Sequence, residues 1–444
     1  MRRRRDTESR PRSHSLVDPY LPEHGSDDYA VSRYELDLDY KVGTNRLEGK
    51  ARLHASAQVD FSRLDLDLAG TLRVSKIRVN GESPARYSHR SGRLRVQLRE
   101  QLRAGSAITV EVGYSGSPRP IHGRWDDVGF EELSDGALVA GQPNGAPSWF
   151  PCNDHPRNKA RFAIAITTES GYRVVANGVP LAQRQQASRV RWEYESAEPM
   201  ATYLATLQIG RYDERDLGVA SGVPLRAYLP ARLHGDFDVA FARQAQMMQA
   251  FTEMFGPYPF ARYSVVVTDD PLEIPLEAQS LSVFGANHLD GTHERLIAHE
   301  LAHQWFGNSV TVAAWEHIWL HEGFACYAEW LWSQSAGGPS AGELAQQYWT
   351  ALSQAPQDLR LADPGPDLMF DDRVYKRGAL TLHALRLHVG DSVFFSLLRD
   401  WCARNQYGVV TTQDFIDLAS RHDSSTRGLW RSWLYELGLP AMPR

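Results

Sequence analysis

Cysteine is scarce in this chain: only Cys152, Cys326 and Cys402 occur among 444 residues, far apart from one another. So sparse and odd a set excludes a disulfide framework and a cysteine-type metal site, and it points to a reducing, cytoplasmic compartment. Long apolar runs are lacking as well. None approaches the roughly 18–20 residues that a membrane-crossing helix needs, so no membrane partner is expected. Basic charge is not in excess. The 48 Lys and Arg against 54 Asp and Glu leave a net charge of -6, which gives no reason to expect nucleic acid or an anionic lipid surface as partner. Arg2–Arg5 could open an export signal, but Asp6-Thr7-Glu8-Ser9-Arg10-Pro11 follows where an apolar core would be needed, and that reading fails. A disordered, Arg-rich tail over residues 1–20 is expected instead.

What is present is an ordinary globular composition, 42% hydrophobic and 23% charged, in a chain long enough for about two or three domains. From about residue 30 to 210 the hydrophobic period is two. Tyr34, Leu36, Leu38 and Tyr40 alternate with Glu35, Asp37, Asp39 and Lys41, as in a half-buried strand. Leu64–Leu68, Ile108–Tyr114, Phe162–Thr168 and Val190–Tyr194 repeat the habit, with Asn80-Gly81 and Asn177-Gly178 as turns. This half reads as an antiparallel β domain, residues 21–213. Beyond it the period becomes helical over Phe237–Phe255, Trp315–Trp332, Gly378–Val389 and Thr412–Arg421, with little strand signal except Tyr263–Val267. A mainly helical domain over residues 214–444 is expected, with Gly210–Gly222 as the passage between the two.

The helical half contains His299-Glu300-Leu301-Ala302-His303 within Thr292–Gly307, where Leu296, Ile297, Leu301, Ala302, Trp305 and Phe306 fall at helical spacing and Gly307-Asn308 ends the run. Residues four apart lie about one turn apart on one helix face, so both imidazoles can reach one metal ion while Glu300 approaches the attacking water. Eighteen residues separate His303 from Glu322, which stands in His321-Glu322-Gly323-Phe324-Ala325. Hydrolytic Zn²⁺ commonly takes two histidines and a glutamate and keeps a position open, so His299, His303 and Glu322 are the candidate ligands of one Zn²⁺ per chain, with Glu300 as general base. His321 points elsewhere on its helix and reads as structural. Glu329, seven residues after Glu322 on the same face, reads either as a partner that orients a ligand histidine or as a packing residue.

Together with Trp149-Phe150-Pro151-Cys152-Asn153-Asp154-His155-Pro156, Met200–Leu204, Trp315-x-x-x-Trp319 and Tyr375-Lys376-Arg377-Gly378, this signature resembles the zinc aminopeptidases of the aminopeptidase N and leukotriene hydrolase type, which are gluzincin metallopeptidases. The resemblance covers nearly the whole chain from about residue 20. It implies an α+β, two-domain fold, a saddle-shaped antiparallel β domain followed by a thermolysin-like zinc domain. It also implies that Tyr375 stabilises the oxyanion, that Glu277 binds the free amine of the substrate, and that Gln142, in Gly141–Ala146, joins that anchor. Two departures stand out. The family's G-x-M-E-N is here Ile274-Pro275-Leu276-Glu277-Ala278, which keeps the glutamate but loses the glycine, and Pro275 brings no N–H. The chain also ends about where the family's catalytic domain ends, so a short form without the helical C-terminal domain, and with an open cleft, is expected.

The residues together lead to a cytoplasmic zinc aminopeptidase of peptide catabolism, acting on short peptides with a free N-terminus. Another hydrolase on the same zinc site, an endopeptidase or an epoxide or ester hydrolase, and a catalytically silent peptide-binding protein of this fold stay open as alternatives.

Overall fold

The alternation from Tyr29 to Lys41 buries Tyr34, Leu36, Leu38 and Tyr40 and leaves Asp37 and Lys41 in solvent, and this strand becomes the middle of a seven-stranded sheet. The computed structural model describes residues 17–443. Across the sheet the order is Val179–Gln186, Arg189–Met200, Ala160–Glu169, Tyr29–Lys41, Arg46–Ala57, Ala107–Gly116, Leu72–Val79. A three-stranded sheet of Phe61–Asp67, Arg93–Leu102 and Arg86–Arg90 adds Leu64, Leu66, Leu94 and Val96 to the same core. A five-stranded sheet ends this half at Leu207–Gly210. The expected antiparallel domain carries one correction: Tyr29–Lys41 runs parallel to Ala160–Glu169, with Arg33 opposite Arg161. Those strands are joined by a long excursion and not by a hairpin, so the connection does not dictate their direction.

The tail expected over residues 1–20 carries a correction at its last residues. Residues 1–16 lie outside the described residues, but Asp18 and Tyr20 are packed. Asp18 accepts the Trp315 amide at 2.7 Å, and the Tyr20 hydroxyl donates to Asp363 at 2.5 Å while accepting the Gly365 amide at 2.8 Å. Two polar anchors hold a segment whose composition alone reads as solvated.

The second half is a mixed sheet packed with helices. Its strands lie in the order Asp213–Ala220, Val223–Leu229, Tyr263–Thr268, Leu281–Gly285, Leu276–Ala278, so the boundary drawn at 213/214 cuts one residue from the first of them. The expectation of a single strand here is corrected. Tyr263–Thr268 and Leu281–Gly285 are buried throughout, which removes the period-two pattern by which a strand is read. Phe237–Phe255 is two helices, His234–Ala240 and Gln244–Phe255. The segment expected at Gly378–Val389 belongs to Asp372–Arg404, which is broken at Gly390. No helix among the described residues is long and apolar enough to cross a membrane.

Two helices of this half come into backbone contact. Trp319–Ser335 carries Glu322 and Asp372–Arg404 carries Tyr375, and they cross glycine on glycine. A Cβ on Gly323 would stand 2.7 Å from the Gly378 Cα, and one on Gly378 would stand 2.6 Å from the Gly323 Cα. No side chain fits between them, so the crossing fixes how far Glu322 lies from Tyr375. Gly323→Ala is therefore expected to lower unfolding free energy by about 1–3 kcal/mol, the usual effect of forcing atoms into a packed contact. Denaturant titration measures it, and a variant as stable as the parent would show that the crossing is loose.

Candidate metal centre

The helix Glu294–Ala302 is shorter than the periodicity predicts. It begins after a turn in which Asp290 accepts the Thr292 amide at 2.9 Å, and His303 is its C-cap. Beyond it the chain turns back through three successive bonds, from the amides of Asn308, Ser309 and Val310 to the carbonyls of His303, Gln304 and Trp305, at 3.0, 3.1 and 3.1 Å. Gly307 makes the reversal possible with φ of 120°, a conformation open mainly to glycine. His299 and His303 thus project from one side with ring centroids 4.7 Å apart. Glu322, in the first turn of Trp319–Ser335, lies with its Oε2 3.5 Å from the Nε2 of each imidazole.

Both histidines have their second nitrogen engaged. Nδ1 of His299 lies 2.8 Å from Glu329 Oε1, and Nδ1 of His303 lies 3.0 Å from the Phe306 carbonyl. Each Nδ1 must carry a proton to bond an acceptor-only oxygen, which leaves each Nε2, on the side of Glu322, as the nitrogen that would give up its proton to a metal. Arg295 holds the other Glu329 oxygen at 3.3 Å. Two imidazole nitrogens and a carboxylate oxygen within 4.8 Å of one another, all buried, form a donor set that fits Zn²⁺.

The other expected residues gather unevenly. Glu300 is buried and its Oε2 has no hydrogen-bond partner. Glu277, on the edge strand Leu276–Ala278, brings a carboxylate oxygen within 4.8 Å of a Glu300 carboxylate oxygen and a His303 imidazole nitrogen. The Tyr375 ring lies nearly parallel to His299 at 6.1 Å. Gln142 makes no hydrogen bond to any of them. Its amide nitrogen is buried without a partner, in a loop whose Gly141 abuts the Tyr203 carbonyl. His321 accepts the Val312 amide at 2.9 Å, a structural contact, and burial pulls it down to about 3 so that it stays neutral.

Two domain profiles match this chain. That of the Peptidase M1 N-terminal domain covers residues 30–204, and that of the Peptidase family M1 domain covers residues 239–433. The crystal structure of an M1 zinc metallopeptidase from Deinococcus radiodurans superposes with a TM-score of 0.89 at 30% identity, over 97% of this chain and 99% of that one. The chain belongs to peptidase family M1. A mutant of the Deinococcus enzyme bound to a Tyr-Ser-Ala substrate superposes equally well, with a TM-score of 0.89 at 30% identity over 97% of this chain and all of that one. Among curated M1 relatives, the leucyl aminopeptidase of Saccharolobus solfataricus is 25% identical over 92% of this chain and 54% of its own length. Human endoplasmic reticulum aminopeptidase 1 is 26% identical over 72% of this chain and 37% of its own length. The chain thus spans about half or less of these relatives.

The electrostatics of this M1 centre follow from its dryness. Burial alone would strip the imidazoles of protons, but hydrogen bonds and attraction to Glu322, and for His299 to Glu329, outweigh it and hold both above the ordinary histidine range. Burial works against ionised Glu322 too, and His303 and His299 overcome it, so its carboxyl stays below the usual range. Burial raises Glu300, against the pull of the two histidines. Tyr375 is pushed well above the ordinary phenol range by burial and by Glu322, Glu277 and Glu300, so it remains a donor.

Sequence reading left several supporting residues unassigned. For Glu329 the spacing leaves two readings open, a partner that orients a ligand histidine and a packing residue, and the bond to His299 Nδ1 supports the first. Gln304 and Asn308 donate to the Ala278 carbonyl at 3.1 and 3.0 Å, fastening the strand of Glu277 to the segment after His303. Their place one and five residues after His303 was the available signal. Because each imidazole must lose a proton to bind a metal, falling pH should weaken zinc binding. Below the raised histidine range about two protons should be released per ion, so log Kd should change by about two per pH unit. Competition with a chelator across pH 6–8, a window set by the imidazoles' upward shift, measures this slope, and a pH-independent Kd would remove the histidines from the ligand set.

Proposed function

We propose that this M1 protein is a zinc-dependent aminopeptidase that removes the first residue from short peptides, a step of peptide catabolism. The observation that carries the reading is the nearness of Glu277 to Glu300 and His303, within 4.8 Å. A carboxylate so close to the reacting groups leaves room for an α-amino group and one peptide bond, so the charge of the amine selects the terminal bond. Such a carboxylate–ammonium contact is worth roughly 1.5–3 kcal/mol. Burial, with Glu322 and Glu300 adding and His303 opposing, pushes Glu277 up to about 7, so it gains most when a cation arrives. The peptide-bound form of the Deinococcus enzyme supports peptides as the substrate class.

His299, His303 and Glu322 would hold the Zn²⁺, which supplies Lewis acidity toward the carbonyl oxygen and the attacking water. Glu300, with a free buried oxygen and a raised pKa, takes the proton of that water and delivers it to the departing amine. The Tyr375 hydroxyl, held protonated, donates to the oxygen on which negative charge develops. Gln142, whose amide nitrogen is buried without a partner, is assigned to the amine anchor on the family resemblance. The three cysteines are free and buried, which fits a reducing interior, and we assign the enzyme to the cytoplasm.

Glu300→Gln should keep full zinc by elemental analysis and lose most of its rate, because an amide cannot accept the proton. Tyr375→Phe should lower kcat by roughly 10²–10³ with KM nearly unchanged, as for a contact made in the transition state. A rise in KM alone would make Tyr375 a substrate-binding residue. The decisive experiment compares a free and an N-acetylated pentapeptide by mass spectrometry. Only the free peptide should be cut, at its first bond, and Glu277→Ala should cost about tenfold in kcat/KM on it. Internal cleavage, or equal cleavage of both peptides, would sink the aminopeptidase reading in favour of an endopeptidase.

A further inference from the structure

Lys159 precedes the strand Ala160–Glu169 of the first half, yet its ammonium is spent entirely on the second. It donates to the backbone carbonyls of Ser309 at 2.8 Å, Asn308 at 3.0 Å and Gly408 at 3.4 Å. An ammonium has three N–H bonds, and three carbonyls take them. Among the described residues no carboxylate forms an ion pair with it. Burial without an anion pulls the amine down to about 7, which marks this as a costly position for a charge. A cluster of backbone carbonyls around one positive charge is the way proteins hold bare monovalent cations.

The carbonyls belong to the turn on which the metal centre closes. Asn308 donates its amide to the His303 carbonyl at 3.0 Å and its side chain to the Ala278 carbonyl at 3.0 Å, next to Glu277. Ser309 donates to the Gln304 carbonyl at 3.1 Å, and Gln304 itself holds the Ala278 carbonyl and the Ser280 amide, the latter at 2.9 Å. Anything that lets this turn move changes the distance from His303 to Glu277.

We propose that Lys159 is a positioning residue, a monovalent cation built into the chain and seated in a carbonyl site, which sets the spacing between the second histidine and the amine anchor. The positioning role rests on the function proposed for Glu277; the carbonyl site does not. Lys159→Ala removes three methylenes and the ammonium, the shape of n-propylammonium. The test follows thermal unfolding and steady-state kinetics of this variant, the parent and Lys159→Met in a series from methylammonium to pentylammonium. Lys159→Ala should raise KM for an aminoacyl amide by about tenfold with a smaller change in kcat, since a charge-assisted contact acts here through the substrate's anchor. n-Propylammonium should raise the melting temperature of Lys159→Ala and restore its KM, with shorter and longer amines less effective. The parent, whose own ammonium occupies the carbonyl site, and Lys159→Met, whose side chain occupies the channel an alkylammonium would need, should gain no stability, and inhibition of the parent by each amine sets the kinetic baseline. No selective gain in melting temperature would overturn the carbonyl site. A gain in melting temperature with an unchanged KM would overturn the positioning role. A parent that ignores the free amine would overturn the reading of Glu277, with the melting series still deciding the carbonyl site.

Discussion

Four carboxylates, those of Glu277, Glu300, Glu322 and Glu329, crowd around two imidazoles, and negative charge withdrawn from water must be met by positive charge close at hand. Arg295 meets Glu329 from the outer side. The remainder suits a divalent ion between the histidines and Glu322, and an ammonium at Glu277. Burial, with the neighbouring carboxylates adding to it, keeps Tyr375 protonated and raises Glu300, so the donor and the base of the proposed reaction owe their states to the same dry, acidic surroundings. A site so short of positive charge is ready for its ligands before they arrive.

Such a centre works only if its parts are held at fixed distances, and the fold supplies this through backbone contacts more than through side chains. The glycine crossing of Gly323 and Gly378 sets the helix of Glu322 against the helix of Tyr375. The turn after His303 ties the histidine helix to the edge strand through Asn308 and Gln304. Lys159 pins that turn from the first half, and Asp18 and Tyr20 hold the approaches to the helices of Glu322 and Tyr375. The β half therefore takes part in the centre by positioning it, although the candidate ligands and Glu300 all belong to the other half.

The candidate metal-binding set was legible because it is written in local periodicity. Residues four apart share a helix face whatever the helix packs on, so His299 and His303 could be paired from their spacing, with Glu300 beside them. The strands of the first half were legible for the same reason, since one face meets the core and the other meets water. Legibility failed where a strand is buried on both faces, as in Tyr263–Thr268 and Leu281–Gly285, because no alternation survives. It failed again for Glu329, whose bond to His299 depends on how two helices pack, and no spacing along one helix distinguishes that partner from a packing residue.

The sequence by itself determined the candidate chemistry: a histidine pair one helical turn apart, a glutamate between them and a third candidate ligand on the following helix, with Glu277 added by resemblance. Tertiary structure alone decided which nitrogen of each histidine faces the metal position, how closely Glu277 approaches Glu300, and that a lysine 149 residues before Asn308 holds the turn between them. The physical reason is one of range. Helix and strand periods act over a few residues, and hydrogen-bond partners far apart in the chain meet only after the core has brought their elements together.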